Sequence, residues 1–110
     1  MMTSQSTLYW EVSQKLVEKV ERFAPMVGVE PTGVSIRSFK SRWGSCQPPD
    51  QITLNLKLMQ VPKVYIDYVI MHELCHLKEY NHSRRFYALL NRVLPDWKEK
   101  RERLNALEVS

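Results

Sequence analysis

Three residues with metal-binding chemistry occur at a fixed spacing in the second half of the chain, where His72, Glu73 and His76 form a His-Glu-x-x-His run. Helical positions four apart lie one turn apart on the same face, so both imidazoles can bind one ion. Glu73 lies about 100° round the helix from His72, where it can flank the ion without binding it. A carboxylate there can accept a proton from a metal-activated water and pass it to a leaving amine. The run therefore predicts a catalytic zinc site.

A catalytic zinc needs a third protein ligand and an open position for water. The remaining histidine of the chain is His82. On a straight helix His82 would lie about 9 Å further along the axis than His76 and could not share the ion. This ligand therefore requires a chain reversal near Tyr80 and Asn81. The alternative third ligands are glutamates, namely Glu79, Glu99 and Glu102.

The reaction also needs side chains that bind the substrate and stabilise an oxyanion. The oxyanion candidates are Tyr65, Tyr68, Tyr80 and Arg42, of which Tyr68 is alternatively a packed aromatic. Trp43 is either a wall of the cleft or a core aromatic. Gly44 either lines the cleft or occupies a turn with positive φ. Asn55 either binds substrate or fixes the end of a strand.

The two cysteines and the start of the chain indicate the cellular setting. Cys75 lies inside the His run and is expected to be a small buried hydrophobe. Cys46 is expected to be a structural thiol, with an accessory or inhibitory metal ligand as the alternative. A disulfide between them is the weaker interpretation. Because no signal segment opens the chain and no apolar run is long enough to cross a bilayer, we expect a cytoplasmic protein with reduced thiols.

Length and composition fit one globular domain, since the chain has 110 residues, of which 44% are hydrophobic and 25% charged. The formal net charge is +4. The densest basic stretch, residues 98–103, alternates with acids and is typical of a solvated helix face. Contact with nucleic acid is the weaker alternative.

Hydrophobic periodicity predicts the elements that must position these residues. Residues 1–6 are polar and predict a disordered start. From Thr7 an apolar stripe at intervals of three and four predicts an amphipathic helix that Pro25 ends. Alternation over 34–39 and 52–56 predicts two strands, paired antiparallel through an elaborate loop. We expect an extended substrate to pair with the edge of one of them.

Three further helices are predicted. The first begins at Pro62 and carries the His run to about Tyr80, the second is capped by Ser83, and the third opens at Pro95. The order helix, two strands and three helices defines an α+β protein.

Four separated motifs occur in this order along residues 34–107, namely Arg42-Trp43-Gly44-Ser45-Cys46, Ile52-x-Leu54-Asn55, Asp67-Tyr68-Val69-Ile70-x-His72-Glu73-Leu74-Cys75-His76-Leu77 and Asn81-His82-Ser83-x-x-Phe86. Together they resemble the YgjP-like metallopeptidase family, which is similar to SprT-like and WLM-domain zinc proteases. Members of that family carry a β-rich region before the first helix. A few polar residues stand in its place here, so the chain is read either as a short family form or as an excised catalytic core.

The resemblance implies a minimal zincin-like fold in one metallopeptidase domain over residues 7–110. That fold has a short antiparallel sheet, an N-terminal helix, an active-site helix with the His run, and C-terminal helices. The resemblance implies Zn²⁺ bound by His72, His76 and His82, with Glu73 as general base. It also implies that the loop from Arg42 to Cys46 borders the active site, and that the substrate is a peptide or protein.

Two other functions fit the same residues. A zinc hydrolase with a non-peptide substrate would use the same groups. A zinc-stabilised module that binds nucleic acid or protein without hydrolysing it would have no use for Glu73, so that carboxylate favours an enzyme.

Overall fold

The computed structural model describes the backbone of residues 4–107 and the side chains of residues 10–107. The elements are α1 (Ser4–Val27), β1 (Gly33–Arg37), β2 (Gly44–Gln47), β3 (Gln51–Asn55), a 3-10 helix (Leu56–Gln60), α2 (Lys63–Lys78), α3 (Arg84–Val93) and α4 (Trp97–Asn105). The α+β class and the predicted succession of helices are confirmed. None of the described helices is both long and apolar enough to cross a membrane.

Helix α1 is longer at both ends than its sequence pattern indicated. It begins at Ser4 rather than Thr7, so residues 4–6, for which we predicted disorder, are helical. Residues 1–3 of that predicted segment lie outside the described part.

The predicted end of α1 at Pro25 is wrong, because the helix continues two residues past it to Val27. Proline removes one backbone donor, but Val27 and Ala24 are 0% and 5% exposed, and their burial favours the final turn. The helix ends where Gly28 takes a φ of 86°, which glycine adopts without steric cost, and its N–H donates to the Ala24 carbonyl at 2.9 Å.

The sheet has three strands in the order β1-β3-β2. The predicted antiparallel pairing of β1 with β3 is wrong. β1 pairs with β3 in parallel, with Val34 opposite Ile52. β2 pairs with β3 antiparallel, with Ser45 opposite Thr53. The long connection that we predicted as a loop therefore contains a strand. That strand forms the hairpin with β3, and β1 takes the opposite side of β3 after a crossover.

Helix α2 occupies the centre of the molecule and packs against α1, the sheet, α3 and α4. An ion pair joins α1 to α2, since Nζ of Lys19 lies 2.6 Å from Oδ1 of Asp67. The core side chains that surround α2 come from every other layer and include Val20, Leu54, Phe86 and Leu104, each at most 2% exposed. Packing on all sides holds the site helix in one position.

Candidate active site

Helix α2 presents the three residues of the His run together. The ring centroids of His72 and His76 lie 4.8 Å apart. Glu73 is 8% exposed and lines the same cleft as both imidazoles. This arrangement follows directly from helical spacing.

A reversal of the chain brings His82 back to this pair. α2 ends at Lys78, two residues before the predicted end at Tyr80, because Glu79 is extended and closes the last turn through its N–H. The backbone N–H of Ser83 then donates to the Asn81 carbonyl at 2.8 Å, and the Ser83 hydroxyl caps α3 as predicted.

His82 lies at the outer end of this reversal. Its Nε2 atom is 2.9 Å from Nε2 of His76, and its ring centroid is 5.5 Å from that of His72. One ring nitrogen from each of the three histidines lies within 4.8 Å of the others. The reversal that the sequence analysis required for this ligand is therefore present.

Phe86 packs against all three imidazoles. It stacks on His76 at 4.3 Å and meets His72 and His82 edge to face at 5.2 and 5.0 Å. The phenyl ring is 0% exposed and belongs to the first turn of α3. The sequence placed Phe86 in a family motif, but nothing in the sequence pattern predicted that its ring packs against the histidines.

The histidine cluster is electronically suited to a cation. Burial, followed by the nearby charges of His76, His82 and Arg101, lowers the pKa of His72 to about 3. Burial and His82 likewise lower the pKa of His76. Both imidazoles are therefore neutral at pH 7 and keep a lone pair for a metal.

The contacts of the ring nitrogens support the same conclusion. Nδ1 of His76 lies 3.3 Å from the Glu79 carbonyl oxygen, which can only accept a hydrogen bond. Nδ1 therefore carries the proton of the neutral ring, and Nε2 keeps the lone pair. Nδ1 of His72 is buried without a hydrogen-bond partner. Neutral imidazoles at His72 and His76 can each offer a lone pair to a zinc ion, and three histidine ligands would leave the fourth position open.

The rival glutamates lie outside this cluster. Glu99 pairs with Arg103 at 3.2 Å along the exposed side of α4. Glu79 contributes its backbone carbonyl to His76. Within residues 10–107, the group of side chains close enough to share a metal is the histidine triad. The geometry thus favours His82 over the glutamates as the third ligand.

A cleft of about 440 Å³ opens over the triad. It is lined by the triad, by Glu73 and by residues of the two flanking loops and β2, namely Arg42, Gly44, Ser45, Cys46, Tyr80 and Asn81. Burial raises the pKa of Glu73 to about 7, and the positive charge of Arg42 lowers it in part. A buried carboxyl group, an arginine and the histidine cluster thus surround one cleft.

Asn55 lies behind the cleft and does not line it. Its side chain is 0% exposed, and its amide donates to the carbonyls of Arg42 at 2.7 Å and Phe39 at 3.2 Å. Its carbonyl oxygen accepts from the Lys57 N–H at 2.9 Å. Of the two roles considered for Asn55, the structure supports fixation of the strand end and of the loop that carries Arg42. The side chain does not reach the cleft in which a substrate would bind.

Trp43 and Tyr68 lie on a second, smaller pocket beside the main cleft. Tyr68 is 6% exposed and meets His72 edge to face at 5.7 Å. Burial raises the pKa of the Tyr68 phenol to about 12, against the lowering effect of Arg101. The phenol therefore stays protonated at neutral pH and can donate a hydrogen bond.

Gly44 is required by close approach and not by a turn. Among the described glycines the positive φ belongs to Gly28. A Cβ on Gly44 would meet Cγ of Glu73 and a methyl group of Val69 at 3.3 Å, and the Thr53 carbonyl at 3.2 Å. This glycine lets β2 pass directly beside the face of α2 that carries Glu73.

Both cysteines are free thiols. Cys75 is 0% exposed and is a buried apolar side chain, as expected. Cys46 is half-buried on β2 and lines the main cleft. Burial, and then the charge of Glu73, raise the pKa of Cys46 to about 11, so this thiol is protonated at neutral pH.

The fold and these groups define a small zincin-like metallopeptidase. The chain belongs to the YgjP-like family, since the sequence model of the YgjP-like metallopeptidase domain matches residues 4–107. The match extends the predicted resemblance to include α1. The chain is accordingly a hydrolase of the metallopeptidase class.

Two solved structures share this fold. One is the metallopeptidase zymogen abylysin of Pyrococcus abyssi, with 25% sequence identity and a TM-score of 0.71 over 81% of this chain and 90% of that chain. The other is the metallopeptidase zymogen jannalysin of Methanocaldococcus jannaschii, with 19% identity and a TM-score of 0.72 over 83% of this chain and 94% of that chain. No curated protein sequence matches the chain significantly.

Proposed function

We propose that this metallopeptidase is zinc-dependent, with His72, His76 and His82 as the zinc ligands and Glu73 as the general base for hydrolysis of peptide bonds. The observation that supports it most directly is the approach of three ring nitrogens to within 4.8 Å beside the buried Glu73. Neutral imidazoles and an open cleft are what a catalytic zinc requires.

Zinc bound by the triad would supply Lewis acidity, which polarises a carbonyl and makes water acidic near neutral pH. Glu73 takes the proton of the attacking water and later donates it to the leaving amine. Glu73 lies on the wall of the cleft, one residue from His72, where its carboxylate can reach both the attacking water and the leaving amine. Phe86 keeps the three imidazoles in place while this happens.

Strand β2 supports binding of an extended peptide. Of the two strands that we considered for this role, β3 is central and has no free edge, whereas β1 is an edge strand whose residues do not line the cleft. Within the described residues β2 is also an edge strand. Gly44, Ser45 and Cys46 of β2 line the cleft. A peptide that pairs with this edge runs past the triad, with backbone hydrogen bonds as the source of affinity.

Two of the oxyanion candidates line the main cleft, namely Arg42 and Tyr80. We assign the oxyanion contact to Arg42. Its loop is anchored by Asn55, so a donor on it is held in place before the reaction. Tyr80 is 65% exposed at the rim and suits a contact with the bound peptide.

Cleavage assays on zinc-loaded protein test this function. We expect the wild type to cleave a mixed peptide library and the Glu73→Gln variant to lose at least about 100-fold in rate. Bound zinc should remain unchanged in that variant. Glu79→Gln serves as the matched control, because it removes a carboxylate near the site that does not line the cleft.

Two outcomes would contradict the proposal. A Glu73→Gln variant that cleaves as fast as Glu79→Gln would exclude Glu73 as the base. A wild type that binds zinc but cleaves no peptide, and instead binds DNA in a salt-dependent way, would favour a zinc-stabilised binding module.

A further inference from the structure

A second pocket of about 140 Å³ opens beside the main cleft and shares His72, Glu73 and Gly44 with it. Its other walls come from Trp43, which directly precedes β2, from α2 and from the end of α4. The segment Tyr80–His82, which borders the main cleft, does not line this second pocket. The pocket therefore lies on another flank of the catalytic residues, next to the place where the reaction is proposed to occur.

The side chains that line this pocket are aliphatic or aromatic apart from His72, Glu73 and Asn105. Val69 and Leu104 are 4% and 2% exposed and contribute aliphatic surface, and Trp43 contributes an aromatic face. Asn105 is exposed and contributes a polar side chain at the end of α4. Apolar walls with a few polar groups are typical of sites that bind an apolar group of a ligand.

The size of the pocket limits its occupant. An apolar protein cavity of about 150 Å³ accepts a benzene molecule. The pocket therefore fits one side chain of the size of leucine or phenylalanine. Tryptophan is too large for it, and alanine would leave most of it empty.

The position of the pocket relates it to the substrate. Gly44 lines both spaces, so a peptide paired with β2 passes the opening of the pocket as it passes Glu73. Side chains of an extended peptide alternate in direction every 3.3 Å or so, which brings the side chain next to the scissile bond within reach. The pocket can thus receive a substrate side chain while the adjacent peptide bond lies at the triad.

We propose that this pocket is a specificity subsite for a leucine- or phenylalanine-sized apolar residue adjacent to the scissile bond. The inference rests on the proposed peptidase function. It names Trp43, Val69 and Leu104 as residues that determine specificity. None of them belongs to the histidine cluster or acts on a proton.

A set of matched peptides tests the subsite by cleavage. The peptides differ in one residue beside the bond that the enzyme cuts, which is alanine, leucine, phenylalanine or tryptophan. We expect kcat/KM for leucine and phenylalanine to exceed that for alanine and tryptophan by at least about 10-fold. The Asn105→Phe variant narrows the pocket from an exposed position and should reduce the ratio of leucine to alanine to about 2 or less. Glu102→Phe, an exposed position on the same helix that does not line the pocket, should keep the wild-type ratio.

Binding of the same peptides to zinc-loaded Glu73→Gln protein, measured by calorimetry, separates the subsite from catalysis. We expect the same order of affinities as for cleavage and loss of that order in Asn105→Phe. Equal affinities for alanine and leucine peptides, or a preference that Asn105→Phe leaves intact, would overturn the subsite even if the wild type cleaves. Failure of the wild type to cleave any peptide, with the affinity order preserved, would overturn the peptidase proposal and leave the apolar pocket established.

Discussion

Phe86 packs against all three side chains of the histidine cluster although it has no ligand atom. Its ring lies 4.3 to 5.2 Å from each of the three imidazole centroids, and it is fully buried. His72 has no hydrogen-bond partner at Nδ1 that would otherwise fix its orientation. At His72, apolar packing therefore has the orienting role that a hydrogen-bond acceptor usually has around zinc-bound histidines.

Replacement of Phe86 by leucine should weaken zinc binding. Leucine keeps the site apolar but removes the flat face on which His76 stacks. We expect the dissociation constant for zinc to rise by about 10- to 100-fold, as for loss of other groups that orient ligands. Competition with a chromophoric chelator measures it.

Leu90→Ala is the matched control for Phe86→Leu. Leu90 is 0% exposed on the same helix, and its truncation should lower the free energy of unfolding by about 2 to 5 kcal/mol. Zinc affinity of the folded control should stay near that of the wild type. An equal loss of zinc affinity in both variants would show that general destabilisation, and not ring orientation, is responsible.

Replacement of His82 by alanine tests the third ligand. Two helical imidazoles alone hold zinc poorly, so we expect affinity to fall by more than about 100-fold. Arg84→Ala, an exposed change two residues further on, should leave affinity unchanged. An unchanged affinity in His82→Ala would transfer the third ligand to a glutamate such as Glu79.

At the scale of elements, β2 and α2 form one wall of the cleft because they approach each other at Gly44. The contacts that a Cβ would make there involve Glu73 and Val69 on one side and β3 on the other. A side chain at this position would separate strand from helix by a few tenths of an ångström. Glu73, the proposed general base, would move with the helix, away from the position proposed for the attacking water.

The Gly44→Ala variant should therefore lose more activity than its loss of stability explains. We expect kcat/KM to fall by about 10- to 100-fold, since small displacements of catalytic groups are costly. Overpacking should cost about 1 to 3 kcal/mol in the free energy of unfolding.

Gly28→Ala provides the opposite control. Its φ of 86° makes alanine unfavourable by about 1 to 2 kcal/mol, but it lies at the end of α1, away from the cleft. Thermal unfolding and kcat/KM of both variants should show similar destabilisation and a large difference in activity. Similar activities would contradict the role given to Gly44.

The elements that local signals specify could be predicted from the sequence. The spacing of His72 and His76, the cap at Ser83 and the required reversal before His82 depend on residues within one or two helical turns of each other. These local features are enough to bring the three histidines of the cluster together. The role of Phe86 was accessible in principle, because it follows His82 by four positions on the same short stretch.

Features that depend on distant contacts could not be predicted. β2 reads Gly-Ser-Cys-Gln, which has no alternation of apolar and polar residues, so nothing in it indicated a strand. Without β2, the parallel pairing of β1 with β3 could not be recognised, because the direction of pairing depends on the crossover between them. Burial of Asn55 similarly depends on carbonyls 13 and 16 residues away in sequence.

At the scale of the whole molecule, the histidine triad connects two parts of the chain. His72 and His76 belong to α2, which packs against every layer. His82 belongs to the exposed segment that leads into α3. Zinc at the triad would bind this segment to the central helix, and folding and metal binding would then be coupled.

Removal of zinc should consequently lower the melting temperature. A ligand present at about 1,000 times its dissociation constant stabilises the folded state by about 4 kcal/mol. For a domain of this size, that corresponds to a fall of roughly 10 °C or more when a chelator removes the metal. Addition of zinc should restore the wild type but not His82→Ala, whereas magnesium, which prefers oxygen ligands, should restore neither. Calorimetric scans with and without chelator measure the change. A wild-type transition that is the same in zinc and in chelator would show that the triad does not bind zinc in the folded protein, and the proposed reaction would then have no metal.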